Sequence, residues 1–224
     1  MTSLLVNLIY PPICLHCQTP TQHLFCEGCS AFFELIDPAT RCPYCFADND
    51  KARPCSTCIK QKRWELQMAS ALNAVGPVAT LVEKLKYGKL PYLAKTAAAF
   101  MTLQLANLDW PEIDTIVPVP PRLWFQRPNH ATLVAKSLSH YIRKPWDSLI
   151  GRWPGDLPQA YLDSQEREKL SESSFYLKKR TRIKDKVLLV VDDLIGTGTT
   201  LRKISTTLGG GFPRKVYALT LASH

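Results

Sequence analysis

All eight cysteines of this 224-residue chain fall between Cys14 and Cys58, and the 166 residues that follow contain none. They form four Cys-x-x-Cys pairs: Cys14/Cys17, Cys26/Cys29, Cys42/Cys45 and Cys55/Cys58. Cysteines scattered through a short secreted chain suggest a disulfide framework, but two thiols separated by two residues allow one tight turn to present both sulfurs to a single metal ion. Two such turns complete a tetrahedron with Zn–S distances of about 2.3 Å. The offset is 28 from Cys14 to Cys42 and from Cys17 to Cys45, and 29 from Cys26 to Cys55 and from Cys29 to Cys58, so the segment is an internal repeat. A repeat favours two sequential sites over a cross-braced pair: Cys14, Cys17, Cys26 and Cys29 in the first, Cys42, Cys45, Cys55 and Cys58 in the second. All-sulfur ligation leaves no open coordination position, so the two predicted zinc ions are structural. So small a module has little core, and metal binding supplies most of its folding free energy. His16 and His23 are read as surface residues, since eight thiols already suffice.

The rest of the chain is of another character. Hydrophobic residues make up 46% of the sequence, enough for a substantial core, which excludes disorder as a general description. No apolar run approaches the ~20 residues of a membrane-spanning helix. The apolar stretch from Leu4 to Ile9 lacks the basic flank and length of a secretory signal, so the expected compartment is the cytoplasm. Net charge is +9 and unevenly placed: residues 1–64 carry six basic and five acidic side chains, residues 65–224 carry 22 and 14. The near-neutral cysteine segment argues against a zinc finger that reads nucleic acid, while the basic remainder suits a phosphate-rich ligand or nucleic acid.

The stretch after residue 186 carries the chemistry. Val187 to Val191 is five β-prone residues without polar alternation, the pattern of a strand buried on both faces in a parallel sheet. Asp192 and Asp193 follow, then Leu194, Ile195, Gly196, Thr197, Gly198, Thr199 and Thr200, and helical spacing at Leu201, Ile204 and Leu208. Thr199 or Thr200 is the expected N-cap. The acid pair and the Gly/Thr run therefore lie at the carboxyl end of a strand, where open α/β sheets bind ligands. Gly196 and Gly198 let the backbone take positive φ and approach a ligand closely, the threonines add hydroxyl donors, and the helix N-terminus favours an anion. Adjacent carboxylates suit vicinal hydroxyls or a divalent cation. A sugar with a 5′-phosphate and a 2′,3′-diol satisfies both halves. No lysine follows the second glycine, which excludes a Walker A loop, and the acids precede the glycines, which excludes a dinucleotide fingerprint.

This motif resembles the binding motif for 5-phosphoribosyl 1-diphosphate (PRPP) of type I phosphoribosyltransferases. The whole chain, from about Leu8 to Ala222, is similar to the ComF family, competence-associated proteins that join an N-terminal cysteine module to a phosphoribosyltransferase-like domain. The narrower resemblance rests on Leu85-Lys86-Tyr87-Gly88 after a short amphipathic helix. It rests also on Ile116 to Pro120 as a second strand before a basic segment and a helix from about Ala131 to Tyr141, and on Gln159-Ala160 with Glu166, Arg167 and Phe175.

The resemblance implies roles. Asp192 and Asp193 hold the ribose hydroxyls, Gly196, Thr197, Gly198, Thr199 and Thr200 the 5′-phosphate, and Pro120-Pro121-Arg122 the pyrophosphate, with Pro121 and Arg122 as binding residues. Arg167, within Gln159 to Leu170, closes over the site as part of a hood, so the catalytic set is Asp192, Asp193 and Arg167. Mg²⁺ accompanies PRPP and, with basic groups, stabilises departing pyrophosphate. Departures from the family also show: its common Arg-Gly-Phe-Asn-Gln is here Arg127-Pro128-Asn129-His130, one residue shorter, so Arg127 and Asn129 are the positions that match. Frequent basic, asparagine and arginine positions of the hood read Ser164, Leu170 and Glu172.

Lys84 and Lys86 are either phosphate contacts or an ordinary helix end with Gly88 as C-cap. Six basic residues between Lys178 and Lys186 read as a solvated connector, with nucleic-acid contact as the alternative, and Arg122 to Arg127 mixes aromatics with cations as single-strand binders do. Trp146 and Trp153 among prolines suggest a packed surface loop. The expected architecture is a Cys-rich zinc-binding module over 1–62 and, over 63–224, an α/β phosphoribosyltransferase-like domain with a largely parallel sheet and flanking helices. The leading reading is a PRPP-binding phosphoribosyltransferase-like protein of the ComF type that serves DNA uptake. Its rival is a catalytically inactive scaffold that keeps the PRPP pocket and binds single-stranded DNA or competence partners.

Overall fold

The computed structural model describes residues 12–49, 51–63, 65–88, 90–121, 129–153, 174–178 and 182–224. Within them lie strands β1 (Gln67–Asn73), β2 (Thr115–Pro118), β3 (Ile150–Arg152), β4 (Phe175–Leu177), β5 (Val187–Ile195) and β6 (Lys215–Ser223). The helices are α1 (Glu27–Ser30), α2 (Ser56–Lys60), α3 (Gly76–Tyr87), α4 (Leu93–Ala106), α5 (His130–Ile142) and α6 (Thr199–Gly209).

Four strands form one parallel sheet in the order β1-β6-β5-β2, and β3 and β4 make a separate antiparallel pair. β5 lies between β6 and β2, which explains its unbroken apolar run: Val187 through Val191 are all fully buried. Its side chains alternate between two cores. Val187, Leu189 and Val191 face the core built with α3, α4 and α5, whereas Leu188 and Val190 face the one built with α6, β3 and β4. Helices thus cover both faces, the layered arrangement expected of a parallel sheet.

The cysteine-rich segment shares the first of these cores. Cys14, Phe25, Cys29, Ile36 and Phe46 are buried together with residues of α3, α4 and the sheet. Two buried hydrogen bonds fasten it: Ile36 N–H donates to the Ala71 carbonyl on β1 at 2.9 Å, and Gln104 Nε2 of α4 donates to the Ile36 carbonyl at 2.8 Å. β1 is the outer strand of the sheet, so the Ile36 contact covers part of an edge that otherwise offers unpaired backbone groups.

β5 runs four residues beyond the expected strand, to Ile195, so both aspartates lie on it rather than in the loop. The reason is parallel pairing: Asp192 is still in register with Thr220, and Leu194 with Ala222 of β6. α6 begins at Thr199, and its N-cap is Gly198 at φ 72°, in place of the expected threonine cap. A left-handed residue is needed to turn the strand into the helix, and glycine adopts that conformation without a Cβ clash. Gly196 does not use the same freedom and stays outside the left-handed region. A Cβ built there would meet nothing within 4 Å, so its small size leaves the loop open instead.

Candidate functional site

The acid pair sits where β5 ends and α6 begins. Asp193 continues the parity of Val187, Leu189 and Val191 and therefore faces α3 and α5. There Lys86 Nζ, one residue from the end of α3, lies 3.1 Å from Asp193 Oδ1, and His130 Nε2, the first residue of α5, lies 2.8 Å from Oδ2. The Asp193 side chain is only 4% exposed, so these two cations replace its hydration. Burial pushes its pKa up, but the His130 hydrogen bond and charge, then Lys86, outweigh that and hold it below the usual carboxylate range. His130 responds in the opposite sense. Burial disfavours its cation, yet the hydrogen bond and charge of Asp193, aided by Asp192, raise its pKa.

Among the described residues Asp192 has no such cation at hydrogen-bond distance. It accepts the Asp193 backbone N–H at 2.9 Å, while burial first and the Asp193 charge second push its pKa up to about 7. Adjacent carboxylates that share one site cannot both ionise freely, and here the pair divides into one acid held as carboxylate and one poised near neutrality. A nearby His130 nitrogen lies within 4.8 Å of an oxygen of each carboxylate, so the three can approach one divalent cation.

Immediately beyond, the loop gathers hydroxyls at the start of α6. Thr197 Oγ1 and Thr199 Oγ1 are 2.8 Å apart, and the Thr199 N–H points to Thr197 Oγ1 at 3.4 Å. Gly198 offers no capping side chain, so among the described residues the first-turn N–H groups beyond Thr199 and the positive end of the α6 dipole remain open to an anion. Pro121 follows β2, whose Pro118 pairs with Val191 just before the acids, and Asn129 ties the start of α5 to the same strand end by donating to the Val119 carbonyl at 3.1 Å. Arg122, Arg127 and Arg167 lie outside the described residues.

Both aspartates and the loop lie together at the carboxyl end of β5, as their order in the sequence leads one to expect. Lys86, readable from the sequence as a phosphate contact or a helix end, lies in the last turn of a helix capped by Gly88, and its ammonium meets Asp193. His130 carries no sequence signal beyond its place one residue after Asn129 in the shortened segment.

Both cysteine groups assemble sequentially, with the four sulfurs of Cys14, Cys17, Cys26 and Cys29, and those of Cys42, Cys45, Cys55 and Cys58, each within 4.8 Å of one another. All eight are free of disulfides. The repeat holds at backbone level. The Gln18 N–H returns to the Cys14 carbonyl as Phe46 does to Cys42, both turning residues have positive φ, and the bridge from Ile13 to Pro20 recurs from Arg41 to Asp48. Burial raises the Cys14 thiol, but amide N–H groups of Cys17, Cys26 and His16 outweigh it and bring it down to about 6. In the second cluster, amide and thiol hydrogen bonds likewise overcome burial and bring Cys55 to about 7. These amides stabilise thiolate, the form that binds metal. Cys29, without them, is pushed up to about 12 by burial and its neighbouring sulfurs. Two sets of four thiols with amide-stabilised sulfurs fit a divalent metal ion each.

No helix among the described residues is long and apolar enough to cross a membrane. No family model matches the chain. Curated relatives do. The DNA utilization protein YhgH of Salmonella typhi is 26% identical over 215 residues, covering 90% of this chain and 92% of that protein. Competence protein F of Haemophilus influenzae is 26% identical over 209 residues, covering 87% and 90%. These names agree with the family that the motifs resemble. Among solved structures, a glutamine PRPP amidotransferase of B. subtilis complexed with ADP and GMP aligns with a TM-score of 0.44 and 18% identity over 62% of this chain, which spans 30% of that enzyme's chain.

Proposed function

We propose that this chain binds PRPP together with Mg²⁺ and acts as a phosphoribosyltransferase-type protein of the cytoplasm in the service of DNA uptake. The observation that carries the proposal is the placement of Asp192 and Asp193 at the end of β5, directly ahead of an uncapped α6 whose entry is lined by Thr197 and Thr199. Carboxylates accept hydrogen bonds from a vicinal diol, and the loop amides and hydroxyls receive a phosphate on the same sugar. The names of the relatives, competence and DNA utilization, support the biological setting.

The residues divide the work by charge. Asp193, kept ionised by His130 and Lys86, is an acceptor for one ribose hydroxyl, and Asp192, nearer neutrality, for the other. Gly196 to Thr200 enclose the 5′-phosphate, and Pro121 with Arg122 borders the pyrophosphate. Mg²⁺ supplies charge neutralisation for the leaving pyrophosphate. Arg167 would close the hood over the sugar while C1 acquires oxocarbenium character. In the cysteine segment, residues 1–62 form a module holding one zinc ion on Cys14, Cys17, Cys26 and Cys29 and one on Cys42, Cys45, Cys55 and Cys58, attached to a phosphoribosyltransferase-like domain over 63–224.

Calorimetry of PRPP with Mg²⁺ on the zinc-loaded chain tests the reading against an Asp192→Asn, Asp193→Asn double variant. Saturable binding lost in the variant is the expected result; no binding by folded wild type overturns it. Binding without pyrophosphate release for any acceptor, together with salt-dependent single-stranded DNA binding that is lost on neutralising Arg122 and Arg127 or Lys178 to Lys186, would favour the inactive scaffold.

A further inference from the structure

The helix that begins at the anion loop is also the helix on which the second cysteine cluster rests. Arg202 lies one turn into α6, and its backbone N–H donates to the Gly198 carbonyl at 3.0 Å, the bond that closes the first turn after the loop. Its side chain leaves in another direction. Nη2 donates to the carbonyl of Tyr44 at 3.4 Å, between the paired ligands Cys42 and Cys45 and 158 residues away in sequence. The buried Arg202 Nε has no hydrogen-bond partner among the described residues. Burial and then the nearby Arg63 guanidinium weigh against the Arg202 charge, and the sulfurs of Cys58, Cys45 and Cys42 favour it. Cys45 itself packs against the core that contains Leu201, Ile204 and Leu208 of the same helix.

A four-thiolate zinc centre carries a net charge of 2−, and in a half-buried setting that charge acts with little screening. It is the natural counter-ion for a guanidinium whose other neighbour is a second arginine. We propose that Arg202 is a positioning residue that couples the second cysteine cluster to the anion loop: the charged metal–thiolate centre retains the guanidinium at the Tyr44 carbonyl, and this grip fixes the first turn of α6 and with it the loop from Gly196 to Thr199. The inference rests on the zinc reading of Cys42, Cys45, Cys55 and Cys58 and not on the identity of the phosphate ligand. Its consequence is reciprocal, as any coupling between two sites is. Loss of metal loosens the loop, and loss of Arg202 loosens the metal.

The test uses the full zinc-loaded chain in three forms: wild type, Arg202→Met and Arg202→Lys, with Lys203→Met as an exposed control on the same helix. Zinc release to a colorimetric chelator is followed in time, and amide hydrogen exchange is read over residues 196–204 before and after metal removal, with β6 as internal reference. The expected result is that Arg202→Met releases its second zinc roughly 10-fold faster or more, the scale on which partners one contact beyond a metal's own ligands act. Arg202→Lys, which keeps the charge, recovers most of that retention, and Lys203→Met matches wild type. Chelation of wild type should raise exchange over 196–204 while β6 stays protected. Equal release rates for wild type and Arg202→Met, a lysine variant no better than the methionine one, or exchange that rises equally in β6 would each overturn the coupling. Wild type that holds no zinc would overturn the coupling and the zinc reading together. Zinc retained with unchanged coupling but no PRPP binding would strike the proposed function alone.

Discussion

The cysteine clusters and the acid pair both crowd like-charged groups into a small volume, and they resolve the repulsion by opposite means. Each cluster draws its four sulfurs from a span of 16 or 17 residues and repeats one backbone turn, an arrangement that could hold a metal ion as its counter-charge. Asp193 is neutralised from within, by Lys86, 107 residues before it, and by His130, 63 residues before it. The local site is built to take its counter-charge from an ion, whereas the tertiary site takes it from two side chains of its own chain.

Metal removal is the sharpest way to break this comparison. Because structural zinc supplies about 10–16 kcal/mol of apparent binding free energy in small finger peptides, chelation is expected to unfold the cysteine-rich segment, read as lost amide-exchange protection over residues 12–49. Replacing Cys58 by Ser should reduce the zinc count from two to one by native mass spectrometry, leaving the first cluster loaded.

At the acid pair the effects are smaller and depend on pH. Removing one partner of a buried ion pair leaves the other charge uncompensated, so Lys86→Met is expected to cost about 2–4 kcal/mol at pH 7 by denaturant titration, with no change in zinc content. Its effect should shrink in acid as Asp193 takes up a proton. The folded pKa of His130 is raised, so its share of stability is complete below 6.5 and fades as pH rises through the folded value; that of Asp193 is lowered, so its share is present above 3.8 and fades as pH falls through the folded value.

Asp192 behaves in the reverse way. Its folded pKa of about 7 exceeds the unfolded 3.8, so the native state holds the extra proton, and stability falls as pH rises from 4 to 7. Asp192→Asn abolishes that loss. The variant should match wild type near pH 4 and exceed it by about 1–3 kcal/mol at pH 8, while losing PRPP affinity. A variant no more stable than wild type at pH 8 would show that Asp192 is not held at a disadvantage in the folded chain.

The smallest effect is expected where the first cluster meets α3. His16 Nδ1 and Thr80 Oγ1 are 2.8 Å apart at an exposed position, so His16→Ala should cost no more than about 1 kcal/mol and leave both metals in place.

What the sequence decided by itself is local. Cys-x-x-Cys spacing and the offset of 28 determined the two sulfur sets, because a turn of fixed length carries its own geometry wherever it occurs. The apolar run from Val187 to Val191 followed by acids, glycines and threonines likewise determined a strand, a loop and a helix in that order. Where the strand stopped was not legible, since Asp192 to Ile195 are extended by pairing with β6 and not by their own propensity. Nor could periodicity single out Gly198 over a threonine as the cap, a choice set by the angle at which the chain must turn. Only the tertiary structure brought Lys86 and His130 to Asp193 and Arg202 to Tyr44. Those contacts depend on which helices lie on which face of the sheet, and one sequence carries no periodic signal for charges that meet across separate elements.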